Sequence, residues 1–350
     1  MPEILLPYTD VELTEEVNRI PNTYGLINAL NLAPSEPKGS RYVRIGYRDG
    51  QIYVLAAEPR GAPGDVGEND TENSIIFEIP HFPHIDFIGP DDIDNVLEIV
   101  NGQITPASLD REVARKLDTI RRKHGITREY VRLGMLKGLI KDGKGRTLYD
   151  LYDVFGITKK TVDFTLGTAG TNIMDKCEEV RDHIQTNLKG ETSNGIEVIV
   201  SPTYFSKFVA HPNVEKFWLQ AQNSTYHTEI TRSNLGGNWG RSLLFGEILW
   251  REYKGSLPVK SASGEITSEP NVAANMGHAF PTGTQNMMRT YDGPVYHINR
   301  LNQPIDGTAE PILVTTKELA HGAGYELKSQ SNILAICKQP ECQVEVTTSN

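Results

Sequence analysis

Apolar and polar positions follow a strand-like period near the front of the chain and a helical period in its middle. Gln51-Ile-Tyr-Val-Leu-Ala56 and Ser74-Ile-Ile-Phe-Glu-Ile79 are short runs rich in β-branched and aromatic residues, the composition of strands. Residues 58–73, between them, are packed with Gly, Pro, Asn and acids and are too many for a tight hairpin turn. Residues 41–88 therefore read as an extended two-stranded ribbon. Such a ribbon is marginal alone in water and is expected to lie on another body. If that body is a second copy of the chain, the protein is a building block.

Farther on, Leu109, Val113, Leu117 and Ile120 recur at helical spacing and predict a helix over 105–123, with Thr105 as cap and Pro106 in the first turn. Its other face carries Arg111, Arg115, Arg122 and Lys123. Gly125 is expected to interrupt it, and Thr127 to cap a second helix with Val131, Met135 and Leu139 on one side. Shorter helices are expected over 91–100, 172–188, 203–209 and 213–221. Strands or ribbons are expected over 146–166, 197–201, 243–250 and 325–346. Helices and strands that segregate along the chain predict an α+β fold. Residues 1–40 read as an irregular acidic arm. The apolar Tyr24, Leu26, Ile27 and Leu30 suggest that it becomes ordered on a neighbour.

Composition narrows the function. A chain of 350 residues can build more than one packed lobe, and a 23% charged fraction argues against wholesale disorder. A net charge of −10 argues against tight gripping of a nucleic-acid backbone. No apolar run approaches the roughly 20 residues needed to span a bilayer, so no membrane partner is expected. The opening Met-Pro-Glu-Ile-Leu-Leu-Pro lacks the features of a signal peptide. Three cysteines, Cys177, Cys337 and Cys342, suggest a reducing compartment without a disulfide framework.

Catalytic signatures are sparse. His81-Phe-Pro-His84-Ile-Asp86 places two imidazoles and a carboxylate close together, the material of a metal-dependent hydrolase. In an extended segment, however, His81 and His84 fall on opposite faces. Asp142-Gly-Lys-Gly-Arg146 lacks the acidic ligands of a calcium loop and reads as a glycine turn. Gly236-Gly-Asn-Trp-Gly-Arg241 lacks the ending of a phosphate cradle. No nucleophile elbow or metalloprotease helix is present. No enzyme activity, cofactor or metal is expected.

An ordered set of segments carries a family likeness. It comprises Ile20-Pro-Asn-Thr-Tyr-Gly25, Arg60-Gly-Ala-Pro-Gly64, Phe77-Glu-Ile-Pro-His-Phe-Pro-His84, Thr127-Arg-Glu-Tyr130, Leu148-Tyr-Asp-Leu-Tyr-Asp-Val-Phe-Gly156, Gly277-His-Ala-Phe-Pro-Thr-Gly283 and Ser329-Gln-Ser-Asn332. Together they resemble the lambda-type major capsid proteins (capsid protein E family) of tailed bacteriophages. Leu97, Gly293-Pro294 and Ile333 depart from the family pattern. The resemblance implies the Hong Kong 97-type capsid fold. Its parts would be an N-terminal arm (1–40), an extended loop (41–88), a peripheral domain with a long spine helix (89–195 and 311–350), and an axial domain (196–310).

The resemblance further implies a subunit that self-assembles into pentamers and hexamers of an icosahedral head enclosing double-stranded DNA without reading its sequence. A portal protein, a decoration or cement protein and a separate scaffold are the implied partners. The virion is the implied location, with assembly in the host bacterial cytoplasm. A compartment shell of the encapsulin kind is the alternative. For the interfaces, Ile52, Val54, Ile75, Phe77 and Ile79 of the ribbon are expected to bury apolar surface on a neighbour. The loop residues Arg60, Asp65, Glu68 and Asp70 would lie at its tip, with the acids meeting the basic helix face, Arg111, Arg115, Arg122 and Lys123, of an adjacent copy.

Overall fold

In the computed structural model of the chain, the central helix runs from Leu109 to Lys137 without a break. The structure describes residues 9–19, 24–48, 72–92, 97–100, 103–106, 109–222, 231–232, 240–260, 265–300 and 311–350. Gly125 does not interrupt the helix. A mid-helix glycine costs about 1 kcal/mol relative to alanine, and apolar residues buried on both sides of it, Val113, Leu117 and Ile120 before and Val131 after, outweigh that. The helix also starts later than expected. Gln103–Pro106 pairs as an antiparallel strand with Leu97–Val100, Val100 opposite Gln103. The expected 91–100 helix is thus replaced by one short 3₁₀ turn, Pro90–Asp92, and a strand.

The chain divides into two compact units. The first comprises Met1–Arg41, Glu78–Leu133 and Arg289–Ile336. Its sheet is built on the long strand Tyr325–Cys337. Antiparallel Leu313–Glu318 lies on one edge of that strand, and antiparallel His81–Ile88 pairs with the same residues on the other. Met288–Asp292 pairs farther along it, and the short strand Ser35–Pro37 adds to Met288–Asp292 in parallel. The long helix lays Val113, Leu117 and Ile120 on this sheet. There they join Ile88, Ile312, Val314 and Leu327, with Leu13 and Val17 of an N-terminal helix, Asp10–Arg19.

The second unit comprises Tyr42–Phe77, Gly134–Met288 and Cys337–Asn350. Its seven-stranded sheet runs Thr231–Arg232, Arg241–Phe245, Ile248–Glu252, Gly195–Val200, Met276–Thr282, Val344–Thr347, Lys160–Asp163. Two pairings in it are parallel: Gly195–Val200 with Ile248–Glu252, and Val344–Thr347 with Lys160–Asp163. The run 243–250, expected as one strand, is two strands joined at Gly246-Glu247. Both of these residues have positive φ, 62° and 61°, as a type I′ hairpin requires. Helices Ile173–Asn187 and Pro202–Val209 bury Val180, Ile184, Tyr204, Phe205 and Phe208 in the core of this unit. Trp250 lies at its centre, stacked on Phe208 at 4.3 Å and meeting Phe164 edge-on.

The 146–166 region is strand, then a short helix Leu151–Phe155, then strand. Asp150 caps the helix by accepting from the N–H of Tyr152 and of Asp153. Residues 134–195 and 337–350, expected to go with the long helix, instead group with the seven-stranded sheet. The reason is pairing: Lys160–Asp163 and Val344–Thr347 are strands of that sheet.

Candidate functional site

The second half of the long helix presents charged side chains toward the protein rather than toward water. Arg128, Glu129 and Arg132 are all buried. A buried charge is tolerable only when paired or well hydrogen-bonded, and each of these is. The Arg128 guanidinium meets Asp292 at 2.6 Å, both side chains only 3% exposed, and donates to Ser35 Oγ at 3.0 Å. Arg132 donates to Thr290 Oγ1, Asn28 Oδ1 and the Ala33 carbonyl. Glu129 accepts from the backbone N–H of Ile27 at 3.0 Å and of Asn28 at 2.8 Å. Its carboxylate thereby caps the start of the short helix Leu26–Leu30. Gly25 makes this possible: its φ is 96°, and a Cβ there would lie 2.1 Å from Glu129 Cδ.

This network fastens residues 24–37 to their own unit, which corrects the arm reading. Leu26 and Ile27 are 1% and 0% exposed, so their side chains are not offered to a neighbour. Tyr24 and Leu30 are half-buried, and burial with the nearby Glu129 carboxylate pushes the Tyr24 hydroxyl pKa up. Residues 10–19 are likewise no loose arm. Thr9 and Glu12 close a capping box, the Thr9 N–H donating to Glu12 and the Glu12 N–H to Thr9 Oγ1.

The ribbon is partly described. Tyr42–Arg48 pairs with Glu72–Glu78. Ile52, Val54, Arg60, Asp65, Glu68 and Asp70 lie outside the described residues. Phe77 is fully buried, 5.2 Å edge-on from Tyr149 and beside Phe155, and Ile79 is 4% exposed. Both side chains are thus covered within the chain itself, where they were expected to bury surface on a neighbour. Ile75 is half-buried on the same side. The outward side instead carries Tyr42, 52% exposed, and Ile76, 65% exposed. Alternation explains the inversion, because neighbouring positions on a strand face opposite ways.

The basic helix face is largely engaged within the chain. Arg115 grips Glu112 with two hydrogen bonds, and Arg122 meets Asp118 at 2.9 Å. Lys123 contacts His84 Nε2 at 2.9 Å, and Lys116 meets Asp86 at 3.0 Å. Arg111 is exposed and, like the others, has a partner within the chain. Burial pushes the Asp86 carboxyl up, but the bonds from Lys116 and from the Phe87 N–H outweigh it and hold it below the usual range. Any acidic partner would compete with these local pairs.

The two histidines of the metal reading fall on opposite sides of strand His81–Ile88. His81 contacts Asn332, whereas His84 faces the long helix with Asp86. Among the described residues no group of three metal-ligating side chains converges. His124 lies beneath the sheet, one ring nitrogen on Ser331 Oγ at 2.8 Å and the other on Ser329 Oγ at 3.0 Å. Burial lowers its pKa to about 3, so the ring is neutral. The cysteines are free and buried.

Sequence reasoning missed the roles of Arg128, Glu129 and Arg132, and the N-terminal helix altogether. The signals were present. Thr9-x-x-Glu12 ahead of Leu13 and Val17 is a capping box followed by an apolar i, i+4 pair. Three ionisable residues on an otherwise apolar helical stretch call for buried partners.

Comparison with known proteins agrees with this architecture. Residues 9–348 match the family model described as phage major capsid protein E. The major capsid protein of Salmonella phage Felix O1 is 29% identical, over 96% of this chain and 95% of that protein. The major capsid protein of Pseudomonas phage KPP10 is also 29% identical, over 97% of this chain and 95% of its own length. The crystal structure of a protein described as a capsid protein of an E. coli CFT073 prophage shares the fold. Its TM-score is 0.54 at 11% identity, covering 79% of this chain and 80% of that one.

Proposed function

The chain belongs to the phage major capsid protein E family, a family of structural capsid proteins, and from that premise we propose how it builds a phage head. Copies assemble as pentamers and hexamers into a closed icosahedral shell that encloses double-stranded DNA. The net charge of −10 supports holding DNA by enclosure, since a wall that gripped phosphates would resist packing. Assembly takes place in the host cytoplasm. A portal protein at one vertex and a separate scaffold complete the partner set, with a decoration protein on the outside.

The observation that carries the reading is the match along residues 9–348 to capsid proteins of nearly equal length. Exposed apolar side chains support it. Tyr42 and Ile76 stand on the outward face of the ribbon, and Ile85 and Phe87 on the outward face of strand His81–Ile88, 46% and 51% exposed. Covering such a side chain fully yields about 1.5–3 kcal/mol, so a few per interface, repeated around a shell, suffice. This part of the interface uses Tyr42 and Ile76, the exposed apolar side chains of the ribbon.

Electron microscopy of the purified chain, expressed alone and with its neighbouring head proteins, tests the proposal. Uniform closed shells are expected, with nucleic acid as cargo in particles from infected cells. A chain that stays monomeric under every such condition, or shells filled with an enzyme, would overturn it.

A further inference from the structure

Strand Leu313–Glu318 is the last strand on its side of the first unit's sheet, and its outer edge is closed in an unusual way. Among the described residues no strand pairs there. Instead the N-terminal helix Asp10–Arg19 runs along the edge and meets its backbone with three side chains. Asn18 Nδ2 donates to the Ile312 carbonyl, and Asn18 Oδ1 accepts from the Ile312 N–H, both at 3.1 Å. Thr14 Oγ1 donates to the Val314 carbonyl and accepts from the Val314 N–H, both at 3.2 Å. Asp10 Oδ1 accepts from the Thr316 N–H at 2.8 Å and from Thr316 Oγ1 at 3.0 Å.

The fit follows from two repeats. Residues four apart on a helix rise about 6 Å, and residues two apart on a strand advance about 6.6–6.8 Å. Positions 10, 14 and 18 therefore track positions 316, 314 and 312 rung for rung. The backbone groups they occupy, the N–H of 312, 314 and 316 and the carbonyls of 312 and 314, are those a further strand would use, because the polar groups of alternate residues on a strand point to the same edge.

The same edge is complementary to itself. Its outward residues 312, 314 and 316 are spaced by two and centred on Val314. Two copies related by a two-fold axis through Val314 would pair Ile312 with Thr316 and Val314 with Val314 in antiparallel register. We propose that the Leu313–Glu318 edge is a latent self-association surface whose partner is the same edge of a second copy, and that helix Asp10–Arg19 keeps it closed. The helix thus suppresses an edge-to-edge dimer that would compete with productive association. This goes beyond the shell reading and does not depend on it.

The test uses the full chain carrying Asp10→Ala, Thr14→Val and Asn18→Ala together, with its unassembled fraction followed by sedimentation and hydrogen exchange. A dimer is expected where the parent is a monomer, the dimer dissociation constant falling at least about 100-fold. Adding Thr316→Pro, which removes an outward N–H without touching the inner pairing, is expected to restore the monomer. If the triple variant does not fold, Thr14→Val alone carries the test. It removes the middle rung and keeps the packing, and at least about tenfold faster exchange at Val314 with concentration-dependent dimerisation is expected. A folded variant that remains monomeric, or a dimer that survives Thr316→Pro, would overturn the proposal.

Discussion

Replacing Asp292 by Asn keeps the shape of the side chain and removes its charge, leaving the Arg128 guanidinium buried without its counter-ion. Both side chains are 3% exposed and 2.6 Å apart. Removing one partner of such a buried pair costs about 3–5 kcal/mol, most of it the desolvation of the orphaned charge. The nearby buried Arg132, which also carries a positive charge, offers no relief. The control is Arg122→Ala, which breaks the pair with Asp118 at 2.9 Å, where the side chains are 75% and 41% exposed. An exposed i, i+4 pair is worth about 0.3–0.5 kcal/mol, so the two variants should differ nearly tenfold. At about 2–4 °C per kcal/mol, the figure for a cooperative unit of roughly 150–250 residues, Asp292→Asn should lower the melting temperature of its unit by on the order of 10 °C. Arg122→Ala should barely move it. Urea and thermal unfolding followed by circular dichroism at one protein concentration measure both. The double variant Arg128→Met with Asp292→Leu should recover most of the loss, because a well-packed apolar pair replaces a buried ion pair at little cost. An Asp292→Asn chain within about 1 kcal/mol of the Arg122→Ala chain would refute the reasoning.

Acid should destabilise the fold well above the carboxylate range. Burial holds His124 and His278 at about 3, while unfolded histidine protonates near 6.5. Between those values the unfolded state binds more protons, so stability falls as pH drops below about 6.5, and by pH 5 the two together cost about 4 kcal/mol. A pH-dependent urea midpoint whose slope is unchanged in His124→Gln would contradict this. Gly25→Ala should cost about 1–3 kcal/mol, because φ at position 25 is 96° and the added Cβ meets Glu129. Faster limited proteolysis within residues 20–40 is the readout, and parental protection would count against the Glu129 cap. The thiols should be inert in the folded chain, since burial pushes Cys177 and Cys342 up to about 12 and Cys337 higher still. An aromatic disulfide reagent should label none quickly in the native state and three after denaturation; prompt native labelling would refute their burial.

Much of the fold could be read from the chain. Val113, Leu117 and Ile120 marked the buried face of the long helix, and Ile173, Val180 and Ile184 that of the 173–187 helix. Local chemistry misled where a weak signal stood against packing. Gly125 reads as a break on helix propensity alone, which tertiary burial on both sides of it overrides. Thr105 and Pro106 read as a helix start, yet they end the strand Gln103–Pro106, paired with Leu97–Val100. The interface residues were the least legible. Periodicity shows that alternate positions share a face but not which face turns inward, so it does not reveal that Tyr149 and Phe155 receive Phe77 within the chain. Glu129, Arg128 and Arg132 were invisible as a network because their partners, Ile27, Asn28, Thr290 and Asp292, lie about 100 to 164 residues away in sequence.

The central claim, that copies of this chain close into an icosahedral shell, is tested most directly by weighing the particles. Single-particle charge-detection mass spectrometry of empty shells should give masses at multiples of roughly 2.3 MDa, sixty copies of the 38.9 kDa chain for each unit of the triangulation number. Only the multiples that icosahedral geometry allows should appear, with small deficits where a vertex is replaced. A continuous spread of masses, or a population confined to monomers and small oligomers, would contradict the account.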